Sequence, residues 1–246
     1  MAQYMTEAII LGVRNWGDAD KMLTILTKER GKIKAAAFGC RRPKSPLAAG
    51  MQMFNHLDLQ LTEGQRIDTV KQYELRQNFR IMSEDLSAMA YGAFVAELVI
   101  ELCNEHEPQP QIFDKLLQIF SFFGKRNPRL VALAAGYQLL EYTGSQLHFS
   151  NCACCEKELV GDAFFSIGQG GAVCRDCRAD GMEPFSAELR SFIEQLILLD
   201  WAQPPSFRVT GSNLVRAEHL LLIYLQQLLE KQLRSLTFIQ QLPMTE

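Results

Sequence analysis

The spacing of hydrophobic and polar positions changes once along the chain, near residue 80. Before that point the apolar stretches are short. Glu7-Ala8-Ile9-Ile10-Leu11-Gly12-Val13 reads as a β-strand ending at the turn cluster Asn15-Trp16-Gly17-Asp18. Residues 22–27 form a second strand. Lys28-Glu29-Arg30-Gly31 supplies a turn whose glycine can take positive φ, and 32–38 returns as a hairpin partner. Alternation at Phe54, Leu57, Leu59 and Leu61, then the run 66–73, adds two strands. Five strands in fewer than 80 residues, with a long link after the third, predict a small closed barrel.

After Met82 the period becomes helical. Ser83-Glu84-Asp85-Leu86 reads as an N-cap with acidic first-turn residues, and Met89, Phe94, Leu98 and Leu102 mark an apolar face that Pro108 and Pro110 stop. Further helices are expected over 111–123, over 128–142 with Pro128 in the first turn, and over 186–200 and 213–234, the last two separated by Pro204-Pro205. Residues 150–181 break the pattern, being short in period and rich in Cys and Gly. The expected organisation is therefore α+β and multidomain. A barrel domain spans 1–80 and a helical domain 81–246, the latter carrying an insertion at about 150–181.

Composition adds little until it is divided along the chain. The 48% apolar and 22% charged fractions are those of a globular protein, and no apolar run is long enough for a membrane span. Residues 1–7 lack the order of a secretory signal, so a cytoplasmic protein is expected. The formal charge of −3 hides an asymmetry. Residues 1–80 carry 13 Lys/Arg against 8 Asp/Glu, a net +5, whereas 81–246 carry 12 against 20, a net −8. Screening confines electrostatic attraction to about 10 Å at ordinary salt, so a basic barrel can hold a polyanion whatever the whole-chain charge.

Four of the seven cysteines form Cys152-x2-Cys155 and Cys174-x2-Cys177, the spacing of a tetrahedral zinc site. Each pair turns two thiolates toward one point, and the 164–166 strand with its glycine turn brings the pairs together. A four-sulfur site leaves no position open for catalysis, so a structural Zn²⁺ is expected. Cys154 adds one sulfur more than the motif needs and leaves the first pair's assignment open, while a reducing compartment disfavours a disulfide. His148 is read as a helix-end residue and not a ligand. Cys40 and Cys103 are read as small apolar residues.

The link Gly39-Cys40-Arg41-Arg42-Pro43-Lys44-Ser45-Pro46 places three cations in four positions. Lys32 and Lys34, two apart on a strand, point to one face, and Arg14, Trp16 and Lys21 lie on the preceding strand and turn. Cations with an interleaved aromatic on a small barrel suit a single-stranded phosphate backbone and its bases. The plainer reading is a solvated loop. No phosphate-binding loop, zinc-protease helix or deaminase signature occurs, and four scattered histidines offer no nucleophile–base pair, so no enzyme is expected.

Taken together, Thr6-Glu7-Ala8-Ile9-Ile10-Leu11, Trp16-Gly17-Asp18-Ala19-Asp20-Lys21, Leu26-Thr27-Lys28-Glu29-Arg30-Gly31-Lys32 and the segment 39–45 closely resemble the amino-terminal part of the RecO family of bacterial recombination mediators. The helical middle containing Ala96-Glu97-Leu98 and the paired cysteines resemble it as well. The resemblance implies an OB-fold at 1–80 and a helical domain with an embedded zinc module. It also implies binding of single- and double-stranded DNA, annealing of complementary strands, and work with RecR to load RecA onto strands coated by single-strand-binding protein (SSB), with a functional link to RecF. On this reading Arg14, Lys32, Lys34, Arg41, Arg42 and Lys44 meet DNA, and Cys152, Cys155, Cys174 and Cys177 hold zinc. Family members bind the acidic, apolar SSB tail, for which Phe122, Phe123, Arg126 and Arg129 are the candidates here. Activity would be in the bacterial cytoplasm, at the nucleoid during repair. Some members lack the cysteine pairs, so the metal stabilises a domain and does not drive annealing. The competing expectation is a zinc-containing interaction adaptor that does not touch DNA.

Overall fold

The computed structural model describes residues 2–203 and 209–241. Pro204-Pro205, read above as a separator of helices, lies outside the described residues. Two compact units emerge. The first holds the described residues up to Pro128 together with those from Ser235 onward, and the second is Arg129–Arg234.

In the first unit, β1 (Gln3–Trp16), β2 (Asp20–Thr27), β3 (Gly31–Ala37), β4 (His56–Thr62) and β5 (Asp68–Gln77) close a barrel in the order β1-β2-β3-β5-β4. Closure is parallel, through Ala35 opposite Asp68 and Ala36 opposite Thr69, which removes the free edges an open sheet would expose. Alternate residues fill the interior: Ala8 and Ile10, Leu23 and Ile25, Ile33 and Ala35, and Leu57, Leu59 and Leu61. Cys40, Leu47 and Met51 of the long link join the same core. The link is further held by Lys21, whose ammonium donates to the Met51 carbonyl at 2.8 Å, and by Asn55, whose amide donates to Ala49 and Gly50.

Ile9, Leu11 and Leu26 have the opposite parity and are nonetheless fully buried. The barrel's outer surface there is covered by helices, which is why the first strand reads as a continuous apolar run. The helices are α1 (Ile81–Glu84), α2 (Leu86–Leu102) and α3 (Pro110–Phe122). The cap of α2 is Asp85, whose carboxylate accepts from the Ala88 N–H at 2.6 Å; Ser83 and Glu84 belong to the preceding short turn of helix and do not cap α2. Nor does a single stripe of α2 face the core. Ala88, Ala90, Phe94, Val95, Ala96, Leu98 and Val99 are all buried, because the helix packs on more than one side. Pro110 opens α3 as its first residue, well after α2 has ended.

The second unit contains α4 (Pro128–Tyr142) from its second residue on, β6 (Ala163–Ser166), β7 (Gly171–Val173), β8 (Glu183–Phe185), α5 (Ala187–Ile197) and α6 (Gly211–Leu229). The three short strands form a sheet in the order β7-β6-β8. Every residue of α4 from Val131 to Leu140 is buried. That includes Gln138, whose amide donates to the Leu196 and Leu199 carbonyls and accepts from Trp201 Nε1 at 2.7 Å, so a polar group inside the core is fully partnered. Ser186 and Thr210 cap α5 and α6 through their hydroxyls. A last helix, α7 (Arg234–Gln240), follows, and the Ser235 N–H donates to Glu97 within the first unit. None of the described helices is long and apolar enough to cross a membrane.

Candidate nucleic-acid interface and metal centre

Strand register sorts the six candidate cations. Cross-strand rows on the outer face of β1, β2 and β3 are Gly12–Thr24–Lys34 and Arg14–Met22–Ala36, followed by Trp16–Asp20 at the hairpin end. Lys32 and Lys34 do share a face, as their spacing predicts, but there Lys32 is partly covered and Lys34, though exposed, is already paired. Ile100 of α2 lies against Gly12, and the loop after α2 runs beside β3, with the His106 N–H donating to the Lys32 carbonyl at 2.9 Å. The Lys32 ammonium donates to the Ile100 carbonyl, and burial lowers its pKa. Lys34 pairs with Glu105 at 2.6 Å, and that contact holds the Glu105 carboxyl below its usual range.

Toward the hairpin end the face is open. Arg14, Arg41, Arg42 and Lys44 are exposed. Among the described residues, the side chains of Arg14, Arg42 and Lys44 make no hydrogen bond or ion pair, and Arg41 makes only a long bond, from Nη1 to the Gly17 carbonyl at 3.3 Å. The link reaches this end because its backbone is tied there. The Arg41 N–H donates to the Ala19 carbonyl at 2.8 Å, and the Gly39 N–H to the Asp20 carboxylate at 2.6 Å. Gly39, at φ +65°, makes the sharp turn out of β3. Phe38 escaped the sequence reading as a strand end, although it shares the parity of Lys32 and Lys34. Its ring stands 5.8 Å from that of Trp16.

The residues proposed for an acidic tail are placed less uniformly. Phe123 is core, packed edge-on to Phe120, whereas Phe122 is half-buried beneath the Lys125 ammonium. Arg126 is exposed on the same unit. Arg129 belongs to the second unit and holds Glu218 through two nitrogens, Nε at 3.2 Å and Nη2.

The cysteine pairs do meet. The sulfurs of Cys152, Cys155, Cys174 and Cys177 all lie within 4.8 Å of one another, with Cys155 and Cys174 at 3.8 Å. Four thiolates at about 2.3 Å from a tetrahedral ion would stand about 3.8 Å apart, so the cluster has the right size for a metal ion. Cys154 is exposed and outside the cluster, which resolves the first pair in favour of Cys155. The first knuckle is closed by the Cys152 N–H donating to the Lys157 carbonyl and the Glu156 N–H donating to the Cys152 carbonyl, with Glu156 at φ +61°. The second is a 3₁₀ turn, Arg175–Cys177. The β6–β7 hairpin carries it to the first, and the Cys174 N–H points at Cys152 Sγ, 3.3 Å away. His148 is not at a helix end. It lies beyond α4 as a strand-like residue bridged to Gly171, and it takes no part in the cluster.

The sulfurs differ in their electrostatics. Burial pushes the Cys152 thiol up, but N–H groups of Cys174, Cys155 and Cys154 outweigh it and hold the pKa down at about 6. Cys177 is pushed strongly up by its contacts with Cys155 and Cys174. Thiolates set this close repel one another, and a dication would neutralise the set.

Comparison with known proteins agrees with the barrel and with the helical region. The family model for the recombination protein O N terminus matches residues 1–79, and that for the recombination protein O C terminus matches 83–237. The chain is 32% identical to the DNA repair protein RecO of Symbiobacterium thermophilum, over 97% of both chains. It is 32% identical to that of Pelotomaculum thermopropionicum, over 97% of this chain and 94% of the relative. A RecO from Desulforudis audaxviator is 31% identical over 98% of both. The chain belongs to the RecO family of DNA repair and recombination proteins.

Proposed function

We propose that this chain is a recombination mediator that binds single- and double-stranded DNA, anneals complementary strands, and with RecR helps load RecA onto SSB-coated single strands, in functional connection with RecF. One observation carries the DNA-binding part: Arg14, Arg41 and Arg42 stand at the hairpin end of the barrel, with Lys44 two residues on in the same link, and none of them meets an acid among the described residues. Such cations neutralise phosphates on two strands at once and reduce the repulsion that slows annealing. The DNA-binding domain is residues 1–80, and work takes place in the cytoplasm, at the nucleoid during repair. Lys32 and Lys34, which already hold α2 and its following loop, are the weaker contributors. For the SSB tail, Phe122 and Arg126 are the accessible members of the candidate set, with Lys125 beside them.

Zn²⁺ is the ion proposed for Cys152, Cys155, Cys174 and Cys177, a donor set of thiolates that suits it. Its chemistry there is charge neutralisation and cross-linking of the two knuckles, in an insertion whose sheet has only three short strands.

The test is annealing of complementary oligonucleotides precoated with SSB, comparing wild type with the folded Arg41→Glu/Arg42→Glu/Lys44→Glu variant. Fast annealing by wild type and loss in the variant are expected. Annealing retained in the variant would move the DNA site away from the link. No annealing by wild type would leave an interaction adaptor as the better reading.

A further inference from the structure

The open end of the barrel carries more than cations. Trp16 and Phe38 are 41% and 52% exposed, large apolar side chains where a barrel would ordinarily present polar ones. They are neighbours by register. Lys21 stands opposite Ala37, so Asp20 falls opposite Phe38, and Asp20 is also the partner of Trp16 across the hairpin. The two rings thus meet beside Asp20, their centroids 5.8 Å apart and tilted by 45°. The next row contributes Arg14, about 7 Å farther along the strand. The Asp20 carboxylate is already engaged by the Gly39 N–H, and that bond fixes the chain directly after Phe38. The same turn delivers Arg41, so the backbone on either side of Phe38 and the Arg41 guanidinium are held by one set of hydrogen bonds.

Taking the DNA-binding reading above as its basis, we infer that Trp16 and Phe38 form a stacking platform for unpaired bases, with Arg14 and Arg41 holding the adjoining phosphates. An exposed aromatic pair alone would suit many partners. Here Arg14 stands one row away on the same face and Arg42 lies against Gly39, the residue after Phe38; neither charge has an acidic partner among the described residues, and this complements a ligand that is anionic along its length and aromatic at intervals. A single strand presents both at once. A duplex presents the phosphates and keeps its base faces stacked. The barrel end thus contains two separable contacts: cations that serve either form of DNA, and rings that serve only the unpaired form.

The experiment uses the full-length chain and three probes of equal length: a thymidine oligonucleotide, an abasic strand with the same phosphates, and a duplex. Trp16→Ala/Phe38→Ala is expected to weaken binding of the thymidine strand on the order of 10- to 100-fold while leaving the abasic strand and the duplex unchanged. Wild type is expected to hold the abasic strand about as weakly as the variant holds thymidine. Trp16→Phe/Phe38→Tyr, which keeps two stacking rings, is expected to restore thymidine binding. Because Trp201 is buried, quenching of tryptophan emission by the thymidine strand reports Trp16 and is expected to vanish in Trp16→Phe. Equal losses on all three probes would mean that the rings only support the fold, and would overturn the inference. Unchanged thymidine binding in the alanine variant, with salt-dependent binding intact, would overturn it while sparing the DNA-binding reading. Absence of DNA binding by wild type would remove both.

Discussion

If the barrel divides its cations as described, their removal is unequal in effect, and salt dependence measures the inequality. Each phosphate neutralised on a single strand contributes about −0.7 to the slope of log K against log salt. Replacing Arg14, Arg41, Arg42 and Lys44 by glutamine removes four cations that no carboxylate among the described residues engages, and the slope is expected to become shallower by up to about 2.8. Over the fourfold range from 50 to 200 mM salt, that difference amounts to roughly a 50-fold change in relative affinity. Replacing Lys32 and Lys34 instead removes charges already held by the Ile100 carbonyl and by Glu105, so the slope is expected to move by less than about 0.7. Fluorescence anisotropy of a labelled oligonucleotide, titrated at five salt concentrations, reads both slopes, and urea unfolding confirms that each variant is folded. A larger loss from the lysine pair than from the four hairpin-end cations would refute the assignment of the open and covered halves of this face.

Three further outcomes follow from the same structure. Gly31 stands at φ +69°, and a Cβ there would lie 2.1 Å from the Glu107 carbonyl oxygen, whereas Gly17 at φ +58° faces open space. Gly17→Ala is expected to cost about 1–2 kcal/mol by backbone strain alone, and Gly31→Ala distinctly more, read as urea midpoints. At the cysteine cluster, Cys155→Ser is expected to reduce bound metal and the thermal stability of the protein, and Cys154→Ser to leave both unchanged; equal effects would reverse the ligand assignment. For Lys34 and Glu105, the depressed carboxyl pKa means stability that is present above the unfolded value near 4.5 and lost as pH falls through the folded value. Both groups are about half exposed, so the contribution is less than about 1 kcal/mol. The difference in urea midpoint between wild type and Glu105→Gln is expected to be present at pH 7 and gone well below pH 4.

The barrel was legible in the sequence because strand alternation and turn residues act locally. The strands, the long link and the approach of two Cys-x2-Cys pairs all follow from spacing within a few tens of residues. What escaped depended on long-range cover. Lys32 and Lys34 look like unpartnered cations until α2 and the loop after it, about 70 residues onward, bring the Ile100 carbonyl to Lys32 and the Glu105 carboxylate to Lys34. Ile9 and Leu11 look like a mere continuation of the apolar run, whereas they form a second buried face. The cap of α2 shifted from Ser83 to Asp85 because both can accept from an N–H, and only the intervening short helix decides between them. Phe38 read as a strand end because its partner in the row, Trp16, stands on another strand across Asp20.

These displacements share one cause, and it bears on how an acidic chain can be expected to hold DNA. The outer face of β1–β2–β3 is a single cationic strip in sequence, running from Lys32 through Lys34 and Arg14 to the aromatic end. The C-terminal end of α2 and the loop after it cover one half and answer its charges internally, and the other half keeps both its cations and its exposed rings. Positive charge is thereby concentrated over a short distance and not spread across the barrel. With a screening length of about 10 Å, a phosphate at the hairpin end responds to Arg14, Arg41, Arg42 and Lys44 far more than to distant carboxylates. Local concentration, and not net charge, is the quantity that the covering helix adjusts. That adjustment also makes the excess of acids after residue 80 compatible with the proposed DNA-binding role: some of those acids, Glu105 and Asp114 among them, neutralise lysines away from the hairpin end, Lys34 and Lys28.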